Sequence, residues 1–323
     1  MRKANMRPSR LDVFAPLEYL NLVGYFTRTI SSPSDLVCDL LNQLRLFFGE
    51  ELSLGKDAGV SWTLSSDRSP TRVEGIEWSY EPELGRYVLL SQHRDVLTVV
   101  QSISRQTSTR GSFVSCMAAQ TAQRADPTYR LFDHTWKIVI EAADVPSEYD
   151  CMILVSLSTH LFRAFDKFSM EPTKLVVGLT NIWLRHGDLH YGFATTNYHQ
   201  DDRSGWAYEG FNLGCSNIRF SIENELWRQA GVARHGRVRG LYASQYLSPV
   251  HLEKLGGKDC FVADLLKVRD RRDDLVTDLG ERGIIFRLTA SPTDHSRWGS
   301  QCGCGGDLGA WAFCRFRDAG LFL

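Results

Sequence analysis

The sequence predicts an α+β fold with mixed or antiparallel sheets and helices packed on one face, and three observations lead there. Many short segments alternate apolar residues with small or polar ones, the period of a half-buried strand. Other stretches repeat at helical spacing, most clearly "SSPSDLVCDLLNQLRLFFGE". The strands also group near one another, which favours α+β over a doubly wound parallel sheet.

Residues 1–12 read as a disordered polar tail. In "FAPLEYLNLVGYFTR", Tyr19, Leu22, Val23, Tyr25 and Phe26 sit among small or polar neighbours, so a strand is expected. The next segment carries helix signals at both ends. Ser32 can cap it, Pro33 suits the first helical position, Asp35 favours the positive end of the dipole, and Gly49 stops it. Leu36, Leu40, Leu44 and Phe47 recur on one face. "GVSWTLS", "VEGIEWSYE" and "GRYVLLSQ" read as short strands.

Residues 101–128 are poor in large hydrophobes and rich in Ser, Thr and Gln, so a long connection and a boundary are expected there. The expected halves are 13–128 and 129–323, two related α+β units. In the second half "HTWKIVIEA" reads as a strand and "SEYDCMILVSLSTHLFRAFDKF" as a buried helix, from its length and apolar density. "LHYGFATTNY" reads as a strand and "SNIRFSIENELWRQAG" as a helix. "DDLVTDLGERGIIFRLTASP" and "GAWAFCRFRDAGLFL" are both expected to end as strands.

"RGLYASQYLSPVHLEKLGG", residues 239–257, is the most orderly stretch. A strand meets Ser248 as a cap, and Pro249 pre-sets the first turn of a short helix. Leu252 and Leu255 face the core, and Gly256 takes the left-handed position that ends the helix. Each of these residues has a folding role, which favours a structural joint over an active-site turn. His251 is the exception. It is expected to be exposed, in which case its removal would cost less than about 1 kcal/mol.

Composition narrows the function. The 323 residues are 43% apolar and 23% charged, with 8 Trp and 17 Phe, which is the make-up of a folded globular chain. Lys+Arg 37 against Asp+Glu 38 leaves a net charge of -1, without the basic excess of a nucleic-acid or membrane-surface binder. No nucleic acid and no membrane are therefore expected as partners. The opening "MRKANMRPSRLDVF" lacks the apolar run of a signal peptide. The eight cysteines are scattered, several within apolar runs, and a reducing cytoplasmic setting is the simplest expectation.

Recognised catalytic motifs are missing. There is no G-x-S-x-G, H-E-x-x-H or C-x-x-C. In "ELSLGKDAG" Glu50 stands where a phosphate loop needs its first glycine and Asp57 where it needs Ser or Thr. Cys302 and Cys304, in "WGSQCGCGGDLGAW", are too close in sequence for the usual shared zinc, and a glycine loop between two strands is expected there. One cluster keeps a metal reading open. In a strand His186, Asp188 and His190 would point the same way, and with His199 they offer zinc or iron ligands.

From "VRGLYASQYLSPVHLEKLGG" through "FVADLLK" and "GIIFRLTASP", mainly residues 238–290, the chain resembles bacterial immunity proteins of polymorphic-toxin and type VI secretion systems. The resemblance lies in a strand, a residue pair before a short helix, a Leu-Gly-Gly ending and a closing strand with a proline. It implies an α+β protein that neutralises a cognate toxin by stoichiometric binding, with no catalytic residues and no cofactor. The candidate contact residues are Tyr198, Asp201, Asp202, Arg203, Trp206 and Tyr208 in "YHQDDRSGWAYEG", together with His251. Aromatic residues with Arg are typical interface anchors. The alternative is a metal-dependent enzyme built on the His/Asp cluster.

Overall fold

The computed structural model describes residues 18–27, 30, 32–49, 58–64, 78–81, 86–89, 112–119, 134–142, 151–158, 161–162, 171–198, 236–238, 240–268, 275–288 and 306–321. The chain opens with β1 (Glu18–Phe26) and α1 (Pro33–Phe48). Next come β2 (Ala58–Leu64), β3 (Trp78–Glu81), β4 (Arg86–Leu89), β5 (Ser112–Ala119), β6 (His134–Ala142) and β7 (Cys151–Ser158). Helix α2 (Glu171–His186) leads into β8 (Leu189–Tyr198). The last part holds β9 (Ser244–Leu247), α3 (Pro249–Lys254), α4 (Lys258–Val268), β10 (Val276–Asp278), β11 (Ile284–Arg287) and α5 (Gly306–Asp318). The expected tail 1–12, the helix at 216–231 and the loop with Cys302 and Cys304 lie outside the described residues.

Nine of these strands form one sheet in the order β10-β11-β9-β8-β1-β7-β6-β5-β2, and β3 and β4 pair separately. Every pairing in the large sheet is antiparallel. The fold is α+β. The expected boundary near residue 128 does not divide the sheet, because β1 lies between β7 and β8, and β5 pairs with β6 across it.

The helices occupy both faces of the sheet, which corrects the expectation of one covered face. In β1, Leu20, Leu22 and Phe26 join the core under α1 and α2, whereas Val23 and Tyr25 join the core under α3, α4 and α5. Strand β7 divides the same way, with Ile153, Val155 and Leu157 on the first side and Met152 and Leu154 on the second. This two-sided burial explains why "CMILVSLS" is a central strand and not the expected helix. A strand covered on both faces loses its polar alternation and reads as a continuous apolar run.

Helix α1 forms as its signals require. Ser32 Oγ accepts from the Asp35 N–H at 3.4 Å, and the Gly49 N–H bonds the Arg45 carbonyl at 2.7 Å. Leu36, Leu40, Leu41 and Leu44 are fully buried, each contributing about 2 kcal/mol by leaving water. They meet Leu175, Leu179 and Trp183 of α2 over the sheet.

Two more expectations are corrected here. The sparse region 101–128 holds β5, which ladders to β2 on one side and β6 on the other through backbone groups that every residue type supplies. The last segment is α5 and not a strand, and Cys314 therefore lies on an exposed helix face. Leu308, Ala312 and Phe316 recur every fourth residue and bury against Phe261 and Phe286. Trp311 packs on the same two rings, at 5.6 and 6.3 Å.

The joint at 248–257 forms as expected. Gly256 has φ +90°, its N–H bonds the Glu253 carbonyl at 3.0 Å, and the Gly257 N–H reaches the Leu252 carbonyl at 2.8 Å. These are the two bonds of a left-handed helix stop. Gly256→Val should cost about 1–3 kcal/mol, since a β-branched residue is strained at that φ and its Cβ would meet Cys260 Sγ at 3.3 Å. Thermal melts check this, and an unchanged midpoint would contradict the helix stop.

Candidate functional site

The described polar residues of interest converge where α3 meets β8. The origin is a bulge. Phe26 of β1 pairs with Leu189 although Tyr25 pairs with Tyr191, so His190 is an extra residue in β8. An extra residue breaks the in-out alternation and re-aims side chains. Leu189 stays in the α1–α2 core, while both His190 and Tyr191 turn their rings to His251 of α3, with centroids at 5.1 and 5.7 Å.

His251 is fully buried, so the expectation of an exposed ring is corrected. It is the third helical residue after Ser248, and from there its ring reaches back to the cap. Ser248 Oγ and His251 Nδ1 are 2.8 Å apart, and His251 Nε2 lies 3.3 Å from the Arg237 carbonyl. A carbonyl only accepts, so Nε2 carries the proton and Nδ1 accepts from the Ser248 hydroxyl. The pattern S-x-x-H at a helix start is the signal in the sequence for this contact. It has the spacing of a capping box, with histidine in place of glutamate, but not its bonds to backbone N–H groups. Ser248 is accordingly the N-cap, but its side chain bonds the ring and not a backbone N–H.

Electrostatics keep this ring neutral. Burial, then the neighbouring His190, push the His251 pKa down from 6.5 to about 3, and Lys254 adds to the shift against the pull of the Arg237 carbonyl. Tyr191 completes the cluster, its hydroxyl donating to Gln245 Oε1 at 3.2 Å with the Gly240 carbonyl at 3.4 Å. A serine beside a histidine invites comparison with a nucleophile and its base. Here Ser248 is 4% exposed and the base is strongly weakened, so the pair fastens α3 to the segment before β9.

The expected metal cluster is not assembled by His186, Asp188 and His190. Those residues do not share a strand. His186 ends α2 and bonds Asp39 of α1 at 2.8 Å, Asp188 is exposed in the following turn, and His190 faces α3 across the sheet. The turn at Gly187 separates the two histidines onto opposite sides. Among the described residues no group of three or more His, Cys, Asp and Glu could hold a metal ion. Cys38, next to Asp39, has its thiol pushed up to about 11 by burial and then by Asp35 and Asp39, so that pair has no activated thiolate there.

Of the expected contact residues, Tyr198 closes β8 in register with Glu18. His199, Asp201, Asp202, Arg203, Trp206 and Tyr208 follow it and lie outside the described residues. Among the described residues no helix is long and apolar enough to cross a membrane.

No protein-family model matches the chain, and no curated protein matches it in sequence. Its structure is similar to that of the T6SS protein PA0821 of Pseudomonas aeruginosa. The TM-score is 0.54 at 9% sequence identity, covering 85% of this chain and 67% of that one. At this identity the likeness is one of fold.

Proposed function

We propose that the chain is an immunity-type binding protein of a type VI secretion system, which neutralises a cognate toxin in the cytoplasm by direct stoichiometric binding. The observation that carries this reading is the fold shared with a T6SS protein over most of the chain. The resemblance of residues 238–290 to immunity proteins supports it independently of the fold comparison. The joint at 248–257 supports it too. Its one Ser–His pair is buried and works as a fastener, which fits a protein that presents a surface.

The contact surface in this reading is the segment that leaves β8, with Tyr198, Asp201, Asp202, Arg203, Trp206 and Tyr208. His251 is not part of it, because its ring is fully buried. Binding energy at such surfaces concentrates in a few aromatic and Arg anchors. Trp206→Ala with Arg203→Ala should weaken the complex by more than about 2 kcal/mol, roughly thirtyfold in Kd, with an unchanged melting midpoint.

Co-expression with the toxin encoded beside this chain tests the function. Growth should be restored and a one-to-one complex should be recovered. Failure of both with every neighbouring gene product would remove the reading.

A further inference from the structure

We propose that His190, presented by the bulge in β8, and His251 of α3 form an acid-released latch that lets the α3–α5 layer leave the sheet while α1 and α2 stay docked. The proposal goes beyond toxin binding and does not depend on it.

Both rings are buried, 8% and 0% exposed, with centroids 5.1 Å apart. The groups facing His251 are the His190 ring and Tyr191 phenol from β8, Arg237 before β9, and Ser248 and Lys254 around α3. Among the described residues, the ionisable side chains whose charge acts on His251 are His190 and Lys254, and both oppose a second positive charge. Arg237 in turn presses on Lys254. A proton added to His251 therefore meets Lys254, and the His190 ring when that is charged, in a place where water cannot screen them.

Opening relieves this by hydrating the rings. The open form takes up a proton below about pH 6.5, the ordinary histidine value, while the closed form excludes one until pH falls near 3. Closure is thus fully favoured above about pH 6.5 and is lost progressively as pH falls below it. Each excluded proton multiplies the open fraction by about tenfold per pH unit.

The release is confined to one layer because the two cores lie on opposite faces of the sheet. The α1–α2 core contains no fully buried histidine among the described residues, and His186 on that side is paired with Asp39. On the other side the layer is held to the sheet by its apolar core and, at the sheet edge, by Lys258 of α4, which donates to Asp278 of β10 at 3.0 Å. Arg315 of α5 bonds the Leu255 carbonyl at 2.8 Å and Asp264 at 3.1 Å, linking the three helices to one another and not to the sheet.

Hydrogen exchange on the full chain at pH 7.5 and pH 5.0, corrected for intrinsic rates, tests the latch. Amides of α3 and α4 should lose protection at pH 5.0 at least about tenfold more than those of α1. His251→Gln and His190→Asn should each shrink that difference. Should His251→Gln fail to fold at pH 7.5, the His190→Asn comparison stands by itself. Equal loss in α1 and α3, no loss at pH 5.0, or an undiminished difference in the folded variants would overturn the proposal.

Discussion

Gly283→Ala should be the most damaging single-methyl change in the described structure, costing about 4 kcal/mol or preventing folding. Gly283 links the 3-10 turn Gly280–Arg282 to β11 and has φ +114°, where a side chain is strained by about 1–3 kcal/mol. A Cβ there would also run into the carbonyl oxygen of Leu247 and the backbone of Ser248. That obstacle is main chain within a paired strand, so it cannot rotate away. The site is held from both sides. Leu279 N–H bonds the Gly283 carbonyl at 3.0 Å, and Tyr246 donates its hydroxyl to the Arg282 carbonyl at 2.6 Å. Burial pushes the Tyr246 phenol well above its ordinary pKa, against the opposing charge of Arg282, so it remains a donor. Urea unfolding of the two proteins measures the effect. A loss below about 1 kcal/mol would mean that the turn relaxes away from β9.

The second large effect is expected at His251. Alanine there removes a buried ring and leaves the Ser248 hydroxyl and the Arg237 carbonyl without their partner, each at about 1–3 kcal/mol, with a cavity besides. A total near 3 kcal/mol at pH 7.5 follows, in place of the loss below about 1 kcal/mol expected for an exposed ring. Ser248→Ala should cost less, about 1–2 kcal/mol, because the ring stays and keeps its bond to Arg237. An active-site role predicts the reverse, with His251→Ala folded as firmly as the parent yet unable to protect growth. Unfolding curves and the co-expression assay on both variants separate the two.

Much of the architecture was legible from local signals. Helix α1 was visible because cap, proline, acidic first turn and apolar stripe all agree within one segment. The stop at Gly256 was visible because only glycine takes that backbone angle without strain. The structure departs from local pattern where the periodic signal is erased. "CMILVSLS" reads as a helix from its sequence because period is the evidence for a strand, and burial on both faces erases it. Residues 112–119 carry no strand signal in composition, because backbone ladders leave little trace in side chains. In α5 Trp311 and Phe313 stand two apart, the spacing of a strand, within the four-residue repeat of Leu308, Ala312 and Phe316 that buries the helix.

By itself the sequence determined the α+β class, the first helix with both its ends, the strand at β8 and the joint at 248–257. These depend on neighbours within a few residues, and local sterics and capping act at that range. Only the tertiary structure decided that one sheet runs through both halves, that helices cover both of its faces, and that His186 and His190 face opposite ways. A single extra residue in β8 and the partner found by each ring settle the last point. Neither is a property of the segment alone, because strand register is chosen by the neighbouring strands.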